Sequence, residues 1–455
     1  MLDFSKINKP NFFYSLVLSH VRYVHNVLYY RKYKVLHKDR LPKDEGSLVI
    51  SNHQNGLNDA LAILMMGARN QMVFIARGDL FKKDSLGKIM RFLRILPAFR
   101  VRDAGTEGLK DNDLIFEESS RIISEGDNVV IFPEATHQHG HYLNVFKKGF
   151  ARIAFRTAEK AGFSKDIKIL PLGLHYDTYF HIESRLLVNV GEPFTFSELY
   201  DIYREHPEKA QHLLAEKSRE KVKELMLDIE DWDNYDSVWM VCNMYHRPWL
   251  KQRRILPLFE NEFEADVQIN RRLQEYHASD EPAYLNLMSK VAVYRENLEK
   301  LNLRDWIFSR KVFVWSWLRG LLWLCYAPFV LATFLINIIP YSASNLLTAK
   351  MKDRQLHASL HIGLGVLVVV PIWSLIVLAL VWIFSKHFWI GLLAMLVWPY
   401  SLKLYYHMKV DFLKLYNRFR RTRFILTKNK LFHETKALRA SIMEQLDSLF
   451  KSSGD

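Results

Sequence analysis

The chain of 455 residues carries only two cysteines, Cys242 and Cys325, far apart in sequence. They supply neither a disulfide framework nor a metal-binding spacing, which suits a reducing compartment. The N-terminus lacks a small-residue cleavage site behind an apolar core and has Asp3 early, so no secretory signal is expected. Neither internal repeats nor low-complexity tracts stand out, and the length exceeds one domain's worth of chain. Acidic residues are outnumbered, 49 Asp and Glu against 63 Lys and Arg, for a formal net charge of +14.

Aromatic residues are abundant, with 11 Trp, 21 Tyr and 29 Phe. Basic charge with many aromatics fits a nucleic-acid binder or a protein lying on an anionic membrane. Hydropathy decides for the membrane. Residues 321–339 are nineteen positions without a charge, 360–384 form a second apolar segment, and 388–402 a third after the Ser385-Lys386-His387 turn. The first two are long enough to cross a bilayer, and the third is if it extends to Tyr406. Trp315, Trp317, Trp373, Trp382, Trp389 and Trp398 mostly fall at headgroup level. Membrane lipids are therefore expected partners. Nucleic acid is not, because the basic residues cluster beside apolar spans rather than on a groove-reading helix. Arg310, Lys311 and Arg319 before the spans, and Lys409, Lys414, Arg418, Arg420, Arg421, Arg423, Lys428 and Lys430 after them, ask for the cytoplasmic side. This predicts two full crossings joined by the 385–387 turn, with the first segment bent at Pro328, dipping in and returning.

The domain reading is an interfacial amphipathic helix over 1–34, an α/β domain over 35–200, a helical extension over 201–310, a membrane region over 311–407 and a basic cytoplasmic tail over 408–455. The aromatic run 11–33 suits an interfacial helix, or one docked on the protein's own core. In the α/β part, strands are predicted at 48–51, 72–76, 129–132, 167–174 and 186–190, and helices at 57–66, 86–96, 113–124 and 149–161. Such alternation argues a mostly parallel sheet. In the extension, Pro207, Pro248, Pro257 and Pro282 are expected to break helices.

Four patches carry chemistry. After the apolar 47–50 run comes Ser51-Asn52-His53-Gln54-Asn55-Gly56-Leu57-Asn58-Asp59, a histidine in a polar turn with a carboxylate six residues on. A histidine there can act as a base, and a carboxylate can fix its tautomer. The plainer alternative is a hydrogen-bonded turn with Asp59 capping a helix. Leu96-Pro97-Ala98-Phe99-Arg100-Val101-Arg102 is an apolar turn ending in two arginines, suited to phosphate or simply solvated. Phe132-Pro133-Glu134-Ala135-Thr136 puts a carboxylate at a strand's carboxyl end. Phe146-Lys147-Lys148-Gly149 places two lysines where a helix opens and an anion is favoured.

Over 35–196 these residues resemble the glycerolipid acyltransferases, the glycerol-3-phosphate and 1-acylglycerol-3-phosphate acyltransferase superfamily. His53 with Asp59 matches the family's histidine–aspartate motif and 96–100 its phosphate-associated motif. Phe132 to Thr136 match the third motif, and Ile169-Leu170-Pro171-Leu172 the proline-containing fourth. The resemblance implies an α/β acyltransferase domain, to which helical rhythm, hydropathy and charge add the expectation of a helical extension and C-terminal transmembrane helices, integral to the membrane with the catalytic domain facing the cytoplasm. It implies His53 as base and Asp59 as its partner, Arg100 and Arg102 on phosphate, and Glu134, Thr136, Lys147 and Lys148 as further substrate-binding residues. The co-substrate would be an acyl thioester, acyl-CoA or acyl carrier protein, and the acceptor a phosphorylated glycerol or lysolipid, with no cofactor and no metal. Two departures stand out. Five residues separate His53 from Asp59 where the family usually has four, leaving Asn58 at the usual aspartate position. Ala135 and His137 replace the usual glycine and arginine, which leaves a non-phosphate aminolipid acceptor open.

Two readings of another class remain. His137, His139 and His141 alternate and, with His53, Asp59 and Glu134, would serve a metal-dependent hydrolase. A non-catalytic membrane scaffold with a decayed enzyme domain is the other.

Overall fold

A computed structural model describes residues 3–43, 45–81, 84–99, 107–136, 139–179, 182–308, 314–349 and 363–451. The chain divides into two compact units, Met1–Met226 with Leu346–Val368, and Leu227–Asn345 with Val369–Asp455.

The first unit is built on seven strands: β1 (Lys32–Leu36), β2 (Ser47–Ser51), β3 (Met72–Arg77), β4 (Ile95–Ala98), β5 (Asn128–Ile131), β6 (Lys168–Tyr176) and β7 (Arg185–Val190). Their order is β1-β7-β6-β2-β5-β3-β4, with β6 and β7 antiparallel and every other pair parallel. Helices α1 (Phe12–Tyr23), α2 (Leu57–Leu64), α3 (Asp84–Phe92), α4 (Glu107–Ser124), α5 (Gly149–Lys160), α6 (Tyr200–Glu205) and α7 (Pro207–Lys223) complete it. A run such as Leu48-Val49-Ile50, apolar at every position, cannot turn either face to water and settles inside a sheet covered on both sides. Leu48 and Ile50 join one core with Ile122, Phe150 and Leu214, while Val49 joins the other with Ala62, Ile63 and Leu172.

From β2 the chain runs outward to β3 and β4, returns to β5, then crosses β2 to reach β6. The carboxyl ends of β2 and β5 therefore lie side by side, Ile50 opposite Ile131. In open α/β sheets that reversal point is where ligands bind.

All five predicted strands are present within a residue or two. Two others were missed. β4 lay hidden in the helix expected over 86–96, because α3 is closed by Arg94 at φ 60°. An arginine gives none of the stop signal that glycine would in that left-handed conformation. β1 lay at the end of the basic aromatic run, as a half-buried edge strand without alternation. Helix α1 itself has two sides, burying Tyr14 and Val21 and exposing Phe12, Phe13 and Leu16.

In the second unit, α8 (Tyr235–Gln252), α9 (Phe259–Ser279), α10 (Glu281–Leu301) and α14 (Lys430–Lys451) enclose a core of Val241, Tyr245, Leu273, Val291, Tyr294, Phe432, Ile442 and Leu446. Residues set apart as part of a basic tail thus supply core. Pro207 and Pro282 open helices as expected, but Pro248 lies inside α8 without ending it.

Helix α11 (Val314–Thr348) runs 35 residues, through Pro328 and Pro340. Continuous helix of about 52 Å cannot dip in and return, which corrects the expectation drawn from Pro328. Helices α12 (Val370–Ser385) and α13 (Phe388–Leu426) form a hairpin. A Cβ on Gly391 would lie 2.7 Å from the Leu378 carbonyl oxygen, so glycine permits their approach. Trp398 Nε1 donates to Ser374 Oγ at 2.8 Å, and Asn337 Nδ2 to Ser401 Oγ at 2.9 Å, tying α12 and α11 to α13. Among the described residues, two helices are long and apolar enough to cross a membrane, Gly320–Pro340 within α11 and Phe388–Leu426.

Candidate active site

The site grows from the end of β2. Asn52 is fully buried and grips β6, accepting from Leu174 N at 2.7 Å and donating to Leu174 O at 3.0 Å. The backbone then turns, and Gly56 takes φ 52°, ψ −121°, a conformation that glycine adopts and other residues resist. Helix α2 starts at the next residue, with Asp59 in its first turn, where the helix dipole favours a negative charge.

Asp59 is fully buried and surrounded by donors. Its Oδ2 accepts from His53 Nδ1 at 2.8 Å, Gln54 N at 2.8 Å and Asn55 N at 2.7 Å, and its Oδ1 from Tyr176 Oη at 2.6 Å. A carboxylate only accepts, so His53 carries its proton on Nδ1 and presents Nε2 as the basic nitrogen. The imidazole stacks on Phe132, ring centroids 4.1 Å apart and planes 15° from parallel, and its side chain keeps 16% of its surface open. Asn58 is also buried, but its amide makes no side-chain hydrogen bond. The extra residue in the histidine–aspartate spacing is thus absorbed by the glycine turn, and the partner is Asp59.

Glu134 lies one strand away, at the end of β5, and is buried. Its Oε1 accepts from His53 N at 2.6 Å, and its Oε2 from Asn144 N at 3.1 Å and Nδ2 at 2.7 Å. Burial raises its pKa above the ordinary carboxylate value against the pull of those donors. It was expected to contact substrate. Its oxygens accept from the protein, Oε1 fixing the backbone at His53 and Oε2 holding Asn144. Thr136 is exposed and leans on the Glu134 carbonyl at 3.5 Å.

The lysines separate. Lys147 N donates to Pro133 O at 2.8 Å, fastening the start of α5 to the β5 turn, and the residue is exposed. Lys148 Nζ is paired with Glu208 of α7 at 2.9 Å, not with the site. Arg100 and Arg102 lie outside the described residues, as does His137. Phe99, the last described residue before them, is pinned by Asn112, which accepts from Phe99 N at 2.9 Å and donates to Phe99 O at 2.7 Å. Gly78 makes room for that ring, since a Cβ there would lie 2.4 Å from it. His139 and His141 pack on Tyr179, and His141 also on His175 at 5.0 Å between ring centroids. Burial lowers the His141 pKa to about 3. Among the described residues, no group of three His, Cys, Asp or Glu is placed to hold a metal ion.

Sequence reasoning missed Tyr176, Asn144 and Asn112. Tyr176 stands 117 positions from Asp59, and no local pattern marks such a contact. The third motif contains Phe132 but says nothing of its place beneath the imidazole.

The Acyltransferase family model matches residues 32–175. Glycerol-3-phosphate O-acyltransferase 2 of Saccharomyces cerevisiae is 27% identical over 198 residues, covering 43% of this chain and 25% of that protein. Glycerol-3-phosphate O-acyltransferase 1 of the same yeast is 24% identical over 204 residues, with 43% and 25% covered. These likenesses support the glycerolipid acyltransferase superfamily for residues 32–175. The chain spans about a quarter of the length of these curated relatives. The crystal structure of the 1-acyl-sn-glycerophosphate acyltransferase from Thermotoga maritima gives a TM-score of 0.33 at 21% identity, covering 49% of this chain and 84% of that one. In this acyltransferase domain, the histidine–aspartate pair and the third-motif carboxylate meet at the ends of β2 and β5.

Proposed function

We propose that the chain is a membrane-bound O-acyltransferase that moves a fatty acyl group from an acyl thioester to a hydroxyl of glycerol-3-phosphate or a lysophospholipid. The observation that carries this reading is the His53–Asp59 pair, its buried carboxylate held by three further donors and its imidazole side partly open. Nε2 of His53 takes the proton of the acceptor hydroxyl as its oxygen attacks the thioester carbonyl. The tetrahedral adduct collapses, the C–S bond breaks, and the thiolate leaves with the proton returned from His53. Asp59 holds the tautomer and stabilises the transient imidazolium. Arg100 and Arg102, beyond the pinned Phe99, take the acceptor's phosphate, with Lys147 contributing charge. The donor is acyl-CoA or an acylated carrier protein.

The apolar helices α11 and α13 support insertion in the bilayer. Helices α8 to α10 precede them and α14 follows them, yet all four share one core. The chain therefore enters and leaves the bilayer on one side, which requires an even number of crossings. Basic residues flanking the spans favour the cytoplasmic side.

The test is an acceptor screen with labelled acyl donors in detergent, comparing wild type with His53→Ala. Label should enter a phosphorylated glycerol or a lysophospholipid, and His53→Ala should lose about 10²- to 10⁴-fold in rate. Undiminished transfer by His53→Ala would remove the base from the mechanism. Transfer only to unphosphorylated acceptors would remove the acceptor class.

A further inference from the structure

We propose that Tyr176 is a positioning residue for this reaction, its hydroxyl fixing the plane of the Asp59 carboxylate from which His53 is held. The inference rests on the reading of His53 as the base.

A carboxylate turns easily about the bond to its Cβ, because that torsion has a broad, roughly two-fold profile. Three of the donors to Asp59, from His53, Gln54 and Asn55, converge on Oδ2 alone. Donors gathered on one oxygen fix a point. The second oxygen must be held as well before the plane is set, and Tyr176 Oη holds it at 2.6 Å. The phenol is suited to this. It is fully buried, and burial together with the Asp59 charge drives its pKa well above the ordinary value, so it stays a neutral donor.

Its own position is set by the sheet. Tyr176 ends β6, paired with Leu186 of β7. Two residues earlier, Leu174 holds Asn52, and three residues later Tyr179 donates to Gln54 Oε1 at 3.2 Å and accepts from Asn55 Nδ2 on its carbonyl at 3.2 Å. The whole catalytic turn is thus referenced to β6 and the loop after it, the strand that carries Pro171. Among the described residues, other titratable groups near the pair include Glu134 at the His53 backbone, Tyr30 and Tyr179 beside Tyr176, and His141 against Tyr179.

The test compares wild type, Tyr176→Phe and a variant carrying 3-fluorotyrosine at 176, a stronger donor of nearly the same shape. A carboxylate that loses a donor concentrates its charge toward the imidazole and makes it more basic, while a stronger donor does the reverse. Two readouts are taken: the pH dependence of kcat/KM, and the pH dependence of His53 carbethoxylation mapped by mass spectrometry, which needs no turnover. Tyr176→Phe should lower kcat about tenfold and move both midpoints up by roughly half a pH unit, and fluorotyrosine should move them down. Unmoved midpoints in both variants, with or without a lower rate, would assign Tyr176 to packing alone and overturn the proposal. A wild-type protein that transfers no acyl group, with the carbethoxylation midpoints still shifted in the two variants, would sink the functional reading and leave the positioning role standing.

Discussion

Each unit of this protein holds a histidine against a buried aspartate, and the two pairs are nearly alike as pairs. In the first, His53 Nδ1 lies 2.8 Å from Asp59 Oδ2, and in the second, His246 Nδ1 lies 3.0 Å from Asp266 Oδ1. The surroundings differ. His246 projects from the middle of α8 onto α9, with Glu262 at 4.0 Å from its Nε2 and Arg247 in turn on Glu262. Both of its ring nitrogens face carboxylates, so the imidazole is an internal tie between helices. His53 sits where two parallel strands end, its Nδ1 on Asp59 and its ring laid on Phe132. A histidine–carboxylate pair therefore takes its role from its surroundings, two packed helices in one case and the ends of two parallel strands in the other.

The sharpest way to break that contrast is to disable one pair's carboxylate. Asp59→Asn should cost about 10³-fold in acyl transfer, because an amide offers a donor where His53 needs an acceptor and the wrong tautomer results. Asn58→Ala, next to it, should leave the rate roughly unchanged, and a steady-state assay of both decides which residue orients the base. For the second pair the expected loss is in stability. His246→Ala removes the partner of two buried carboxylates and should lower unfolding stability by about 3 kcal/mol, while acyl transfer per folded molecule stays as in wild type. Denaturant titration beside the transfer assay measures both. An activity loss without a stability loss would erase the distinction between the pairs.

A third histidine sharpens it further. His25 is buried against Tyr30 and Tyr33, its Nδ1 2.7 Å from the Asn26 side-chain oxygen, and burial lowers its pKa from 6.5 to about 4. The folded protein refuses a proton that the unfolded chain accepts. Its contribution is complete above pH 6.5 and is lost as pH falls toward 4, at about 1.4 kcal/mol per pH unit. Unfolding measured across that window should show a shallower slope in His25→Phe by that amount. The smallest expected effect lies beside the site. Ala135 occupies φ 59°, a left-handed conformation that favours glycine, and Ala135→Gly should stabilise the fold by about 0.5–1 kcal/mol in the same titration.

Much of the first unit could be read from the chain. Runs such as Leu48-Val49-Ile50 and Val129-Val130-Ile131 have one physical outlet, a strand buried on both faces, and the polar turn after each marks where chemistry collects. Where local signals were atypical, the reading failed: Arg94 ended a helix without glycine, and Pro248 stayed inside one. The inward turn of Glu134 could not be read locally, because it depends on Asn144 and on the His53 backbone, 81 positions away. Lys148 likewise had no visible partner until α7 brought Glu208 to it.

Sequence by itself settled the residue types, the alternation of strands and helices and the long apolar helices, because periodicity and hydropathy are local properties of the chain. It also brought His53 and a carboxylate within one turn of each other. Tertiary structure alone supplied Tyr176 and Phe132, and joined α14 to helices that precede the long apolar ones. Each of those choices is a contact across many tens of residues, and such contacts exist only once the backbone has closed its sheet.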